Sequence, residues 1–291
     1  MNPWTVSLAV AALLAATPAV ADAKRKGAGA HPDGVYSPNA TFEIKAILDA
    51  DSPLWKSAPK YTVALLGQNM TEPMLLAPAT TKLVVQSLHD DRGRIAFRLE
   101  WADPAPDMLP RPSQFPDAAA LQFPLDPKSP PAPMMGHRPG GRVNIVQWRA
   151  DWQRDVDKGD LNVKDLYPNA VVDAPVDKVY KGQDVVAFSA GQTIGNIVSQ
   201  SGKPRAVQDL MAEGFGSLTP KPVQHAEGHG SWKAGKWRVV IVRPMEADFD
   251  KDAAELPAKS QSQIAFAIWN GGAGERGSRK AWAPWVLLTI E

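Results

Sequence analysis

Hydrophobic residues in this chain recur mainly with a period of two. From Arg94 to Trp101, Ile95, Phe97, Leu99 and Trp101 fall on one face while Arg98 and Glu100 fall on the other, the alternation of a half-buried strand. Residues 82–88 form a similar run, and the turn Asp90-Asp-Arg-Gly93 between the two predicts an antiparallel hairpin. Shorter β-prone runs stand at 41–45 and 61–66, and apolar runs at 143–148, 237–243, 263–269 and 285–290. One segment breaks the pattern: after Pro204 and Arg205, residues 206–213 predict about two helical turns ended by Gly214. Short strands punctuated by turns predict a mainly β fold, an antiparallel β-sandwich.

Between the strands lie long irregular stretches. Residues 103–139 are rich in proline, with the short apolar island 118–123 inside them; proline cannot donate to a strand ladder, so most of the stretch is expected to lie across the sheet as loop. A loop of that length is usually functional or disordered. Residues 151–184 are polar and turn-rich and read as a surface excursion. At the N-terminus, residues 4–21 are apolar and end in Ala19-Val-Ala21, the pattern of a secretory signal with a small-x-small cleavage site. The expected organisation is a signal peptide over 1–21, a flexible polar arm over 22–39 and one β-sandwich domain over 40–291, with no membrane span in the mature, exported chain.

Composition narrows the chemistry. With 32 basic against 31 acidic residues the net charge is +1, so no global field favours nucleic acid. There is no cysteine among the 291 residues, which excludes disulfides, cysteine-ligated iron–sulfur clusters and covalent c-type haem. His225-Ala-Glu-Gly-His229 has metal-like spacing but lacks a third ligand, and Gly191-Gln-Thr-Ile-Gly-Asn196 lacks the Lys-Ser/Thr ending of a phosphate loop. No Ser/His/Asp triad or glycosidase carboxylate pair stands out, so no catalytic residue is assigned. The segment Pro131-Ala-Pro-Met-Met-Gly-His137 is more distinctive: it sets two thioethers and an imidazole in a Pro/Gly-bounded loop before an apolar strand. Soft ligands beside a hydrophobic wall suit a buried haem iron, although methionines in such a loop also serve simply as gap-fillers.

Six ordered segments carry a resemblance: 115–124, Met134-Met-Gly136, Val143-Asn-Ile-Val-Gln-Trp-Arg149, 210–219, 230–243, and 266–288 with its Glu275-Arg-Gly-Ser-Arg-Lys280 core. Together they resemble the haem b γ subunits of periplasmic molybdenum enzymes of the dimethyl sulfoxide reductase type. That group includes ethylbenzene dehydrogenase, dimethylsulfide dehydrogenase, steroid C-25 dehydrogenase, and selenate and chlorate reductases. The resemblance runs from about Phe42 to the C-terminus and implies a sandwich akin to sugar-binding modules, with haem b held non-covalently between the sheets.

By that resemblance the iron ligands are Met135, with Met134 and His137 as neighbouring alternatives, and Lys280. Trp269, Trp282, Trp285 and Trp148 would wall a dry pocket, and Arg276 and Arg279 would pair with the haem propionates. A lysine ligand must first lose its proton, and burial against an apolar group reduces that cost. The implied role is periplasmic electron transfer rather than catalysis. Electrons would pass between an Fe–S β subunit and a carrier such as cytochrome c, in a complex whose molybdopterin α subunit acts on a hydrocarbon or sterol. Two rivals stand beside this reading: a haem-free carbohydrate- or ligand-binding sandwich, and a stand-alone haem sensor.

Overall fold

Side-chain alternation builds two packed layers, as seen in a computed structural model that describes residues 33–161, 163–170, 190–200, 202–247 and 250–291. The proposed signal peptide and residues 22–32 lie outside the described residues. In chain order the strands are β1 Gly34–Ser37, β2 Tyr61–Ala64, β3 Leu66–Gly67, β4 Lys82–Asp90, β5 Arg94–Ala102, β6 Ala118–Pro124 and β7 Val143–Arg149. There follow β8 Val207–Ala212, β9 Thr219–Pro220, β10 Glu227–Trp232, β11 Lys236–Pro244, β12 Gln261–Trp269, β13 Ala281–Trp282 and β14 Val286–Ile290. One sheet runs β10-β11-β5-β4-β2. The larger runs β1-β14-β12-β6-β7-β8-β9, with β13 on β12 and β3 on β13. Among the strands named, all pairings are antiparallel except β1 on β14.

The predicted hairpin is β4–β5, with Asp90 opposite Arg94. Its inward residues Leu83, Val85, Ile95, Phe97, Leu99 and Trp101, joined by Trp237, Val239 and Ile241 of β11, meet the larger sheet's Leu121, Phe123, Val146, Trp148, Phe266 and Ile268. Trp101, Trp148 and Trp237 close one end as a cluster, with the Trp148 and Trp237 rings 4.9 Å apart. The space between the sheets is therefore filled with side chains, and the expectation of a cofactor between them is corrected. The room for one lies on the other side of the larger sheet.

Other expectations are corrected by burial on both faces. The apolar island within the proline-rich stretch is β6, a central strand buried along its whole length, which gives no polar stripe to mark it. Residues 207–212 pair with β7 and β9 as β8 instead of coiling, because their partners satisfy the backbone while Val207 and Leu210 bury on opposite faces. Residues 41–45 do not form a strand. The short helix α1, Ile44–Ile47, lies there, and this segment with Phe42, Ala50 and Trp55 covers the outer face of the smaller sheet. Within the supposed surface excursion, Ala150–Lys158 forms α2, closed by Gly159 at φ +84°. The arm ends earlier than residue 39: β1 is integrated into the larger sheet with Val35 and Ser37 buried. Among the described residues no helix is long and apolar enough to cross a membrane.

Candidate cofactor cavity

A cavity of about 950 Å³ opens on the outer face of the larger sheet. Its floor is built from the outward residues of four adjacent strands: Ala118 and Ala120 of β6, Ile145 and Gln147 of β7, Gln208 and Leu210 of β8, and Trp269 of β12. Alanine at two central positions is what leaves the floor hollow, since the inward neighbours Leu121 and Phe123 on the same strand are large. Loops from residues 68–72, 134–135, 215–220 and 275–280 raise the walls, adding Met134, Met135, Phe215, Leu218, Arg276 and Lys280.

Both methionines reach the cavity. Met134 is 4 % exposed, while Met135 sits on a left-handed backbone at φ +64°, a conformation that costs a non-glycine residue about 1–2 kcal/mol. It is held there from two sides: its N–H donates to Gln122 Oε1 (3.2 Å) and its carbonyl accepts from Gly214 N (2.7 Å). Gly136 follows at φ +71°, where a Cβ would lie 2.0 Å from the Gly141 carbonyl oxygen, so the turn requires glycine. His137 is exposed at that turn, bridged to Gly141, and does not line the cavity.

Lys280 lines the cavity with 9 % of its surface exposed. Among the described residues its amine has no hydrogen-bond or ion-pair partner, and Nζ lies 5.6 Å from the centre of the Trp269 ring. Burial alone pulls its pKa down from 10.5 to about 8. Arg276 stands at the rim, stacked on Phe115 at 4.2 Å, with its guanidinium donating to the Gly274 carbonyl. Arg279 points elsewhere, donating to the Met74 carbonyl. Trp269 lines the cavity and donates to the Gly277 carbonyl at 3.0 Å. Trp282 lines only a small adjoining hollow, and its indole bonds Gly67 O. Trp285 braces the methionine loop through Pro131 O at 2.7 Å. Trp148 is corrected outright: it is fully buried on the inward face of β7, between the sheets.

Thus Met135, Lys280, Arg276 and Trp269 are brought together, whereas Trp148, Arg279 and His137 are not. Sequence reasoning missed the alanine floor and the buried amides of Gln68 and Gln122. The run Ala118-Ala-Ala120 in an apolar segment was the available signal for the floor; the glutamines carried none.

At the end of the sandwich, Asp117 ties the start of β6 to the loop that follows β12. Its carboxylate accepts from Trp237 Nε1, Gly271 N and Asp107 N, while Asp103 accepts from Asn270 Nδ2 and Ala105 N. Burial, reinforced by the charge of Asp103, pushes Asp117 up to about 7, and burial raises Asp103 to about 6. His225 pairs with Asp250, while His229 lies exposed on β10, so the two do not form a metal pair.

The ethylbenzene dehydrogenase family model matches residues 52–281. The chain belongs to that family. Among curated proteins it is 28 % identical over 238 residues to the chlorate reductase subunit gamma of Ideonella dechloratans, covering 80 % of this chain and 76 % of the relative. It is 25 % identical over 255 residues to a putative respiratory nitrate reductase heme subunit of Haloferax mediterranei, covering 85 % and 72 %. The resemblance to γ subunits of this group therefore holds. Among solved structures, a family 9 carbohydrate-binding module of Caldicellulosiruptor kristjanssonii in complex with glucose aligns at a TM-score of 0.44 with 7 % identity, covering 88 % of this chain and 95 % of that one. A putative carbohydrate-binding protein of Bacteroides uniformis also aligns at 0.44 and 7 %, covering 89 % and 99 %. At those scores the likeness carries no functional argument.

Proposed function

We propose that this chain is a non-covalent haem b electron-transfer subunit of a molybdenum oxidoreductase complex. The observation that carries the reading is one apolar cavity into which the fold directs two thioethers and a buried lysine whose amine faces the Trp269 ring and has no hydrogen-bond or ion-pair partner among the described residues. Its volume of about 950 Å³ falls at the upper end of the roughly 300–1,000 Å³ typical of small-molecule and cofactor sites. The donor set also fits: an unpaired amine in an apolar wall is costly unless a Lewis acid or an anion meets it. The relatives named for a gamma subunit and a heme subunit of reductases support the same assignment.

In this reading Met135 and Lys280 hold the iron. A solvated lysine loses about 5 kcal/mol in giving up its proton at pH 7, but with the pKa near 8 the penalty falls to about 1 kcal/mol. Ala118, Ala120, Ile145, Leu210 and Trp269 exclude water, and Arg276 at the rim suits a propionate carboxylate. Haem b, when bound, supplies a one-electron ferric/ferrous couple, and a thioether ligand raises its potential. With Met135 and Lys280 both holding the iron, the group would serve electron transfer, and the oxidoreductase chemistry would belong to other subunits.

The further parts of the proposal are a molybdopterin catalytic α subunit, an Fe–S β subunit and a periplasmic carrier such as a cytochrome c. Export rests on the apolar residues 4–21 with their Ala19-Val-Ala21 ending. The test is the absorption spectrum of the full chain purified or reconstituted with haem: a Soret band and sharp reduced α and β bands are expected. Met135→Ala and Lys280→Ala should each shift them. A colourless, fully folded chain that takes up no haem refutes the reading.

A further inference from the structure

Two buried glutamines grip the two loops that carry the proposed ligands. Gln122, on the outer face of β6, accepts from the Met135 N–H at 3.2 Å and donates through Nε2 to the Pro133 carbonyl at 2.6 Å. Both ends of one amide thus engage the methionine loop, from the strand that forms the cavity floor. Gln68 is fully buried just after β3. Its Oε1 accepts from the backbone N–H of Met70 and Thr71, and its Nε2 donates to the carbonyls of Thr71 and of Ser278, two residues before Lys280, the latter at 3.1 Å. Gln68 thereby ties the 68–71 turn to the lysine loop. Both glutamines have matched donors and acceptors at each end, which fixes the orientation of the amides.

We propose that Gln122 and Gln68 are positioning residues, Gln122 presenting the Met135 thioether and Gln68 the Lys280 amine to the haem iron; this rests on the function proposed above. The physical reason is that both loops lack a regular ladder of their own. The methionine loop is Pro/Gly-rich with Met135 in a left-handed conformation, and the lysine loop leaves the sheet after Trp269 and rejoins it only at β13. A ligand on such a loop reaches a fixed point only if a rigid element holds its backbone. A satisfied buried amide anchored to a central strand does that for Met135, and β3 paired to β13 does it with Gln68 for Lys280.

The test compares Gln122→Leu and Gln68→Leu with Gln86→Leu. Gln86 is a buried glutamine of the smaller sheet that makes similar clamps, to the carbonyls of Trp55 and Ala58, and lies away from the cavity. All three variants should lower the unfolding temperature. With haem bound, Gln122→Leu is expected to weaken the near-infrared charge-transfer band of methionine-ligated ferric haem. It should also lower the potential, by about 59 mV for each tenfold loss in preference for ferrous iron. Gln68→Leu should alter the electron paramagnetic resonance signature of the amine ligand while keeping the methionine band. In the haem-free chain, Gln122→Leu should speed amide exchange at Met135 on the order of tenfold.

If all three haem-loaded variants keep the wild-type spectrum and potential, or if Gln86→Leu changes them as much as the others, the positioning role is overturned. Should a leucine variant not fold, Gln122→Glu and Gln68→Glu keep the acceptor and lose the donor. They are scored by ligand signature alone, since a new charge moves the potential by itself, and an unchanged signature in both likewise overturns the proposal. A wild-type chain without haem, or one whose spectrum survives Met135→Ala and Lys280→Ala, instead refutes the parent reading. An unchanged glutamine series beside ligand variants that do shift refutes only this inference.

Discussion

Replacing Lys280 by methionine should make the haem-free chain more stable. Lys280 is 9 % exposed, its amine has no hydrogen-bond or ion-pair partner among the described residues, and burial lowers its pKa from 10.5 to about 8. At about 1.36 kcal/mol per unit, keeping it charged in the folded chain at pH 7 costs about 3 kcal/mol. Methionine fills a similar volume without that penalty, and for a chain of this size each kcal/mol moves the melting temperature by about 2–4 °C. The haem-free Lys280→Met variant is thus expected to melt up to about 6–12 °C higher. A pH series isolates the cause. Between pH 8 and 10.5 the unfolded lysine holds its proton while the folded one has released it, so this group makes wild-type stability rise with pH across that window, a contribution the variant lacks. The assay is calorimetry or circular dichroism of haem-free protein from pH 6 to 11, beside haem binding by absorption. Haem-free melting temperatures that match at pH 7, with parallel pH profiles, would refute the view that this lysine sits desolvated and unpaired awaiting a ligand.

Ala120→Phe puts a ring on the cavity floor, facing away from the sandwich core, and is expected to abolish haem uptake while the melting temperature of the haem-free chain changes by less than about 5 °C; titration with haem followed at the Soret band checks it. Met135→Ala should remove the methionine band in ferric haem and lower the potential, whereas Met134→Ala should keep the band and only loosen binding; the reverse pattern would exchange the two roles. Asp117 and Asp103 carry pKa values raised to about 7 and about 6. The folded chain therefore binds more protons than the unfolded chain between about pH 4 and 7, and this pair makes stability fall as pH rises through that window. Asp117→Asn should flatten the fall. Asp117→Ala, which strands the donors of Trp237, Gly271 and Asp107, should cost about 3–5 kcal/mol near pH 4 and less as pH rises toward 7, measured by urea unfolding.

The order of residues along the chain was enough to determine the β class, the β4–β5 hairpin and the apolar runs that became β7, β11, β12 and β14, because each has a period or a length that survives any packing. The family resemblance its segments carry also pointed to Met135, Lys280, Arg276 and Trp269, the residues the fold gathers at one cavity. Only tertiary structure decided which side of the sheet holds that cavity. Alternation sorts residues into two faces, but when both are buried, as along β6 and β8, nothing in the pattern says which meets the second sheet and which meets the loops. Trp148 and Ile145 show the consequence: two apolar positions three apart on β7 point opposite ways, one into the sandwich and one into the cavity. The clamps of Gln68 and Gln122 were equally invisible, since Gln68 and Ser278 are 210 positions apart in the chain and meet only once β3 has paired with β13.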